Sequence, residues 1–225
     1  MSDRPGRYLE VRRNSIAIVL IAAFAVGLML IMMGLFSWPM ILPGLLLILY
    51  FDGQTKDGRL LDPTSWVRGL HGERAVAKAL ERLPAGYRVI HDLDIGRGNV
   101  DHVVIGPTGV FAIETKAWSG RLLARAGRLL HNGRDAAETR RQAVSGALAV
   151  RRHLDAAGMS HTWVEAIIVS TRALVENGEL ELPQTKVLDV NALVPHIERS
   201  RQSLSPEQVA RAADAVTRPL GTLSA

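Results

Sequence analysis

The hydrophobic pattern changes near residue 52 and divides the chain into two parts. Residues 16–51 contain no charged residue, and Pro39 interrupts this apolar stretch. The two apolar runs approach the length of bilayer spans, and proline favours a break between them. The pattern therefore predicts a transmembrane hairpin over residues 15–51, with two short spans at about 15–34 and 38–51. One span followed by an interfacial helix stays open as an alternative.

The charges that flank the apolar stretch predict its orientation. The arm at residues 1–14 carries Arg4, Arg7, Arg12 and Arg13, whereas the turn between the predicted spans carries no charge. Basic flanks tend to stay on the cytoplasmic side of a membrane. A hairpin therefore places the globular part of the chain in the cytoplasm, against the inner face of the cell membrane. A single span with the same flanks would place it outside.

The second part of the chain has the periodicity of a globular α/β domain. A linker is predicted at residues 52–68, the domain at 69–200, and a C-terminal helix and tail at 201–225. The predicted elements are helices at 69–83, 136–154 and 191–200, a helix capped by Ser205 and Gln208, and strands at 87–93, 100–105, 110–116, 121–124, 163–170 and 186–190, with a return strand inside 127–133. This order predicts a mixed central sheet flanked by helices. Val144, Ala147, Leu148 and Leu154 are the predicted core face of the longest of these helices.

The most informative stretch is the predicted β-hairpin at residues 99–116. Its turn is Gly-Pro-Thr-Gly, and the alternation of side chains places Glu114 and Lys116 on one face of the second strand. Folding of the hairpin brings Asp101 towards Glu114. Charged groups at the end of an apolar sheet are costly unless they pair with each other or hold a metal ion. From these residues alone, a structural ion-pair network and a divalent-metal site both stay open.

Glu73 is a further acidic residue at a predicted core position. It precedes Val76 by three residues and Leu80 by seven, so it lies on the apolar face of its helix. Two interpretations follow from its position near the predicted start of the helix. Glu73 either interacts with the helix N-terminus or reaches into the site built by the hairpin.

The composition narrows the class of partner. The formal net charge of +5 favours an anionic partner, either nucleic acid or an anionic membrane surface. The absence of cysteine excludes disulfides and thiolate-bound metals. Aromatic residues make up 5% of the chain, which argues against an extended base-stacking surface. The composition indicates no particular oligomeric state.

Several motifs together resemble the nuclease-related domain family, NERD, within the PD-(D/E)xK restriction-endonuclease-like superfamily. The motifs are Gly72-Glu73, Asp101-His-Val103, Gly106-Pro-Thr-Gly-Val110, Ile113-Glu-Thr-Lys-Ala-Trp-Ser-Gly120 and Gln142. The resemblance covers roughly residues 69–170. It implies a restriction-endonuclease-like core and cleavage of nucleic acid. It also implies a catalytic site formed by Glu73, Asp101, Glu114, Lys116 and Gln142.

The chemistry of these residues suits phosphodiester hydrolysis. Asp101, Glu114 and Glu73 offer the hard oxygen ligands that Mg²⁺ or Mn²⁺ prefers, and Lys116 would hold water or contact phosphate. Three arginines just beyond the hairpin, Arg121, Arg125 and Arg128, are candidate phosphate contacts. The sequence therefore predicts a membrane-anchored metal-dependent nuclease acting on DNA or RNA. A catalytically silent module that binds nucleic acid or protein at the membrane is the alternative.

Overall fold

Six strands form a central sheet. The computed structural model describes residues 63–95 and 98–218. The predicted N-terminal arm, the transmembrane hairpin, most of the linker and the last seven residues lie outside this description. Among the described helices, none combines the length and the apolar character needed to cross a membrane.

The central sheet is mixed, as predicted. Its strands are β1 (Arg88–Asp94), β2 (Asn99–Gly106), β3 (Gly109–Lys116), β7 (Val164–Ser170), β9 (Glu179–Leu182) and β10 (Thr185–Asp189). The first three strands form an antiparallel meander, β3, β7 and β10 are parallel, and β9 adds an antiparallel edge. Strand β3 lies in the middle of the sheet and is buried on both faces except at Lys116. A near-continuous apolar run is typical of such a central strand.

Helices cover both faces of the sheet. They are α1 (Pro63–Leu80), α2 (Ala137–Ala156), α3 (Val190–Arg199) and α4 (Pro206–Thr217). On one face, Val76 of α1 and Leu193 of α3 pack with Phe111 of β3. On the other face, α2 and α4 pack with a second apolar cluster that contains Val110 and Ala112 of β3. Successive residues of β3 therefore point to different cores.

The connection from β3 to β7 places the start of α2 near the end of β3. Both strands are parallel neighbours, and α2 lies between them in the chain and packs on both. A helix in such a crossover runs back against the strand direction. The N-terminal turns of α2 therefore lie beside Glu114 and Lys116.

A small second sheet, which we call the wing, contains three strands from this connection and one strand that follows β7. It contains β4 (Arg121–Arg125), β5 (Arg128–His131), β6 (Arg134–Asp135) and β8 (Leu174–Val175), in the order β6-β5-β4-β8. Asn132 and Gly133 both have positive φ, at 51° and 80°. These values fit the tight hairpin turn predicted at Asn-Gly.

Three sequence-based expectations need correction. The first helix starts at Pro63, so residues 63–68 of the predicted linker are helical. Leu148 is 53% exposed, because the buried stripe of α2 follows Ala143, Ala147, Val150 and Leu154, and Leu148 is rotated by about 100° from Ala147. Edge strand β9 was not predicted. The capping box at the start of α4, between Ser205 and Gln208, is confirmed.

Candidate active site

Strand β3 carries the charged pair at the centre of the site. Glu114 and Lys116 share a face with Val110 and Ala112 but lie beyond the apolar part of the strand. The Lys116 Nζ donates a hydrogen bond to Glu114 Oε1 at 2.6 Å. The Glu114 side chain is 6% exposed and the Lys116 side chain 25% exposed. The carboxylate is thus buried, whereas the ammonium can still be reached from solvent.

Asp101 joins this pair through the backbone of β3. The ladder between β2 and β3 runs up to the pair His102 and Ile113. Beyond it, Asp101 Oδ2 accepts a hydrogen bond from the backbone N–H of Thr115 at 2.7 Å. At the end of the ladder between β2 and β3, the Asp101 carboxylate thus takes the place of a backbone carbonyl as the acceptor for the Thr115 N–H. This contact holds Asp101 beside Glu114, as the hairpin predicts.

Helix α2 contributes Gln142. The Lys116 Nζ donates a second hydrogen bond to Gln142 Oε1 at 3.3 Å. Gln142 lies in the second turn of α2, where the crossover brings the helix N-terminus to the end of β3. The partial positive charge of that terminus favours anionic groups nearby.

Glu73 approaches the site from helix α1 on the other face of the sheet. It is the eleventh residue of α1, so an interaction with the first turn of the helix does not explain its burial. The residue is 7% exposed, and its Oε2 atom has no hydrogen-bond partner in the described part of the chain. Glu73 lies close enough to Glu114 and Lys116 for their charges to shift its pKa.

The close approach of α1 depends on Gly72. A Cβ atom at this position would lie 3.1 Å from the Cβ of Ala117 and 3.2 Å from the Oγ1 of Thr171. Both distances are shorter than ordinary van der Waals contacts. Glycine therefore lets α1 pack directly on the ends of β3 and β7, which brings the neighbouring Glu73 to the carboxylates.

The site carries more buried negative charge than Lys116 balances. Burial raises the pKa of Glu73 to about 8, and the charges of Asp92 and Glu114 act in the same direction. Burial, Glu114 and Glu73 raise the pKa of Asp101 well above its ordinary range. Burial also raises the pKa of Glu114, although Lys116 opposes this shift. Such a cluster favours either protonation or an additional cation.

The comparison with protein families identifies this region. The model of the nuclease-related domain family matches residues 68–171. The chain carries a NERD domain. All five residues of the predicted catalytic site lie within the matched range.

Other similarities to the chain are limited. An uncharacterized protein of Bacillus anthracis is 37% identical over 59 residues, which are 24% of this chain and 28% of that protein. The chain therefore matches just over a quarter of that relative's length. No solved structure shows significant similarity to the chain.

Asp92 is an acidic residue of the NERD domain that sequence reasoning missed. The pairs His91–His102 and Leu93–Val100 flank it in the register of β1 and β2, so Asp92 lies opposite Asp101. Its φ of 50° is in the left-handed region, and Asn99 Nδ2 donates to its Oδ1 at 3.2 Å. Its charge raises the pKa of Glu73. The signal in the sequence was an acid near the end of a strand that pairs with the Asp101 strand.

His102 follows Asp101 in β2, so it points to the opposite face of the sheet, and it is a structural residue. It is fully buried, and its Nδ1 atom lies 2.8 Å from Nδ1 of His91. Burial, followed by the charge of His91, lowers the pKa of His102 to about 3. The imidazole is therefore neutral at ordinary pH, and one ring donates its proton to the other.

The three predicted phosphate contacts lie on the wing and differ in their surroundings. Arg125 forms a bidentate ion pair with Glu176, in which Nη1 lies 3.0 Å from Oε2 and Nη2 lies 3.2 Å from Oε1. Arg128 pairs with Asp135. The side chain of Arg121 is exposed. Their contact with phosphate stays a prediction, and Arg121 is the best placed of the three because no carboxylate within the described residues forms an ion pair with it.

The donor set fits a divalent cation. Asp101, Glu114 and Glu73 provide carboxylate oxygens of the type that Mg²⁺ and Mn²⁺ bind, and the unpartnered Oε2 of buried Glu73 lacks the donor or cation it needs. Within the described residues, no three or more His, Asp or Glu side chains are already gathered in a ligand geometry.

Proposed function

We propose that the NERD domain hydrolyses phosphodiester bonds of DNA or RNA in a reaction that depends on Mg²⁺ or Mn²⁺. The observation that carries the proposal is the convergence of Asp101, Glu114, Lys116 and Gln142, from three elements, on one end of the central sheet. A structural ion-pair network would need only Glu114 and Lys116. It would not explain why two further carboxylates, Asp101 and Glu73, are desolvated beside this pair.

Each residue has a role that follows from its position. Asp101 and Glu114 would hold the cation, with Glu73 as a further ligand from α1. A cation bound there would lower the pKa of a water molecule and neutralise charge on the phosphoryl oxygens. Glu114 and Gln142 orient the Lys116 ammonium, which is exposed enough to meet the phosphate or the attacking water. The positive end of α2 favours the same anionic group.

The architecture supports this proposal. We infer that the αβα sandwich is a restriction-endonuclease-like core. In that core, the acid of β2 and the Glu-x-Lys of β3 lie together at the end of the sheet. The basic charge of the chain favours a polyanionic substrate.

We further propose that the domain acts at the cytoplasmic face of the inner cell membrane. The apolar residues 16–51 and the basic arm before them support an anchor of two spans. Such an anchor would restrict the nuclease to nucleic acid that comes close to the membrane.

Cleavage by the full-length chain tests the proposal. Single- and double-stranded DNA and RNA are incubated with Mg²⁺, Mn²⁺ or EDTA. We expect cleavage of at least one nucleic acid with metal, none with EDTA, and a loss of roughly 100-fold or more in Asp101→Ala. Asp214→Ala, which changes an exposed aspartate of α4, is the matched control. Binding of nucleic acid without cleavage under any of these conditions would instead support the silent module.

A further inference from the structure

Two stacked aromatic rings lie directly beyond the proposed catalytic lysine. The rings of Trp118 and His131 are within 15° of parallel, and their centroids are 4.8 Å apart. Trp118 follows Lys116 by two residues, which span at most about 7 Å. It packs against the same apolar cluster as Val110 and Ala112, the residues that share a face of β3 with Lys116. The ring stack therefore adjoins the active site on its reactive face.

Hydrogen bonds hold the stack in place. His131 Nε2 donates to the carbonyl oxygen of Ser119 at 2.8 Å, and Asn132 Nδ2 donates to the same oxygen at 3.1 Å. The backbone N–H of Arg121 donates to Asn132 Oδ1 at 2.9 Å. A side chain at Gly120 would lie 2.1 Å from that oxygen, at a φ of +92°. The segment after Lys116 is thus fixed against the Asn-Gly turn of the wing, so a ligand of the rings would lose little conformational freedom there.

The surroundings of the rings suit a nucleotide. Both rings are partly exposed, so solvent reaches the stack. Arg121 is exposed next to the segment and its backbone is tied to the turn that carries His131. Flat rings beside a guanidinium are the combination that binds bases and phosphates of a single strand. The hydrogen bonds of Asn132 already attach the wing to residues 119–121. The ring stack is therefore not needed for this attachment.

We propose that the Trp118–His131 stack is a platform for one unpaired base, and that the substrate is single-stranded or locally unpaired nucleic acid. This inference rests on the proposed nucleic-acid substrate of the site. A base inside a duplex has both faces covered, so only an unpaired or flipped base can continue the stack. Stacking accepts any base, which fits a site without base-reading groups. The low aromatic content argues against an extended stacking surface but not against one platform of two rings.

A double-mutant cycle between protein and oligonucleotide tests the platform. The full-length chain carries Lys116→Ala to suppress cleavage, and its affinity for a labelled single-stranded oligonucleotide is measured in Mg²⁺ by fluorescence anisotropy. Trp118→Leu is expected to weaken binding about 10-fold, or about 1.4 kcal/mol. An abasic position in the oligonucleotide is expected to cost a similar factor with Trp118 present and almost nothing in Trp118→Leu. Trp118→Phe, which keeps a ring, retains most of the affinity.

The control variant is Trp163→Leu, which removes a 64% exposed tryptophan next to the opposite end of β7 and leaves the affinity unchanged. Additive effects of Trp118→Leu and the abasic position would overturn the platform, as would duplex binding as tight as single-strand binding. If the wild-type chain cleaves nucleic acid but the effects of Trp118→Leu and the abasic position are additive, the platform is wrong and the proposed hydrolysis stands. If Trp118→Leu and the abasic position are coupled but the wild-type chain shows no metal-dependent cleavage, the proposed hydrolysis is wrong and the platform stands.

Discussion

At the scale of single residues, the site is defined by an imbalance of charge. Glu73, Asp101 and Glu114 are desolvated, and one lysine faces them. A buried carboxylate without a partner destabilises the folded protein unless it takes up a proton or a cation. The chain therefore maintains an arrangement that is unfavourable for stability at neutral pH. Such an arrangement is expected where carboxylates serve to bind a metal ion.

The pKa of Glu73 predicts how stability depends on pH. This pKa is raised from 4.5 to about 8 in the folded protein. Between these values the folded state keeps a proton that the unfolded state has lost. The contribution of Glu73 to the free energy of unfolding should therefore be highest below pH 4.5. It should fall as the pH rises and level off above about 8. Urea denaturation in EDTA at a series of pH values measures this dependence.

The variant Glu73→Gln separates this group from the other acids. It has no titrating carboxylate at the position, so its stability should fall less than that of the wild type between pH 4.5 and 8. If the free energies of unfolding of the two proteins change equally with pH, Glu73 ionises with an ordinary pKa and the other acidic residues do not affect it.

At the scale of elements, the site depends on how closely helix α1 packs on the sheet. In Gly72→Val, the new side chain meets Ala117 and Thr171 at distances that neither can accept without moving. The helix should shift, and a displacement of about 1 Å at a catalytic group costs roughly 100-fold in rate. We therefore expect a large loss of cleavage by the full-length chain, measured at saturating metal.

A stability control distinguishes this effect from general destabilisation. Ser205→Ala removes the N-cap of α4 and its hydrogen bond with the Gln208 backbone, which should cost about 1 kcal/mol. Helix α4 does not contribute a residue to the site, so the cleavage rate of the folded protein should not change. A similar loss of activity in both variants would argue against a specific role for Gly72.

Elements encoded by local sequence were predictable, and those that depend on distant contacts were not. The hairpin of Asp101 and Glu114, the Asn-Gly turn and the capping box at Ser205 each follow from residues close together in the chain. Strand β8 of the wing was not predicted, because its pairing with β4 joins two segments that α2 and β7 separate in the chain.

The candidate site shows the same division. Asp101, Glu114 and Lys116 were predictable from one hairpin, and the position of Gln142 came from resemblance. Asp92 was missed, because its place opposite Asp101 depends on the register between β1 and β2. The Trp118–His131 stack was also missed, since it joins the segment after β3 to the last residue of β5. A sequence pattern does not show which side chains meet across such distances.

At the scale of the whole molecule, the proposed membrane anchor would decide in which compartment the NERD domain works. A two-span hairpin keeps the NERD domain in the cytoplasm, whereas a single span exports it. In spheroplasts treated with a protease, we expect the domain to be protected and to become sensitive only after the membrane is permeabilised. Digestion of the domain in intact spheroplasts would contradict the hairpin. A cytoplasmic protein of known location serves as the control for intactness.

The most direct test of the proposed catalytic site is a titration of metal in a cleavage assay with two lysine variants. Lys116 and Lys186 both lie on strands of the central sheet, pair with a glutamate at 2.6 and 2.9 Å, and have side chains 25% and 23% exposed. We expect cleavage by the wild-type chain to rise with Mg²⁺ or Mn²⁺ to a plateau. Lys116→Ala should lower the plateau by roughly 100-fold or more, and Lys186→Ala should leave it unchanged. Metal-independent cleavage, or an equal loss in both variants, would contradict the proposed site.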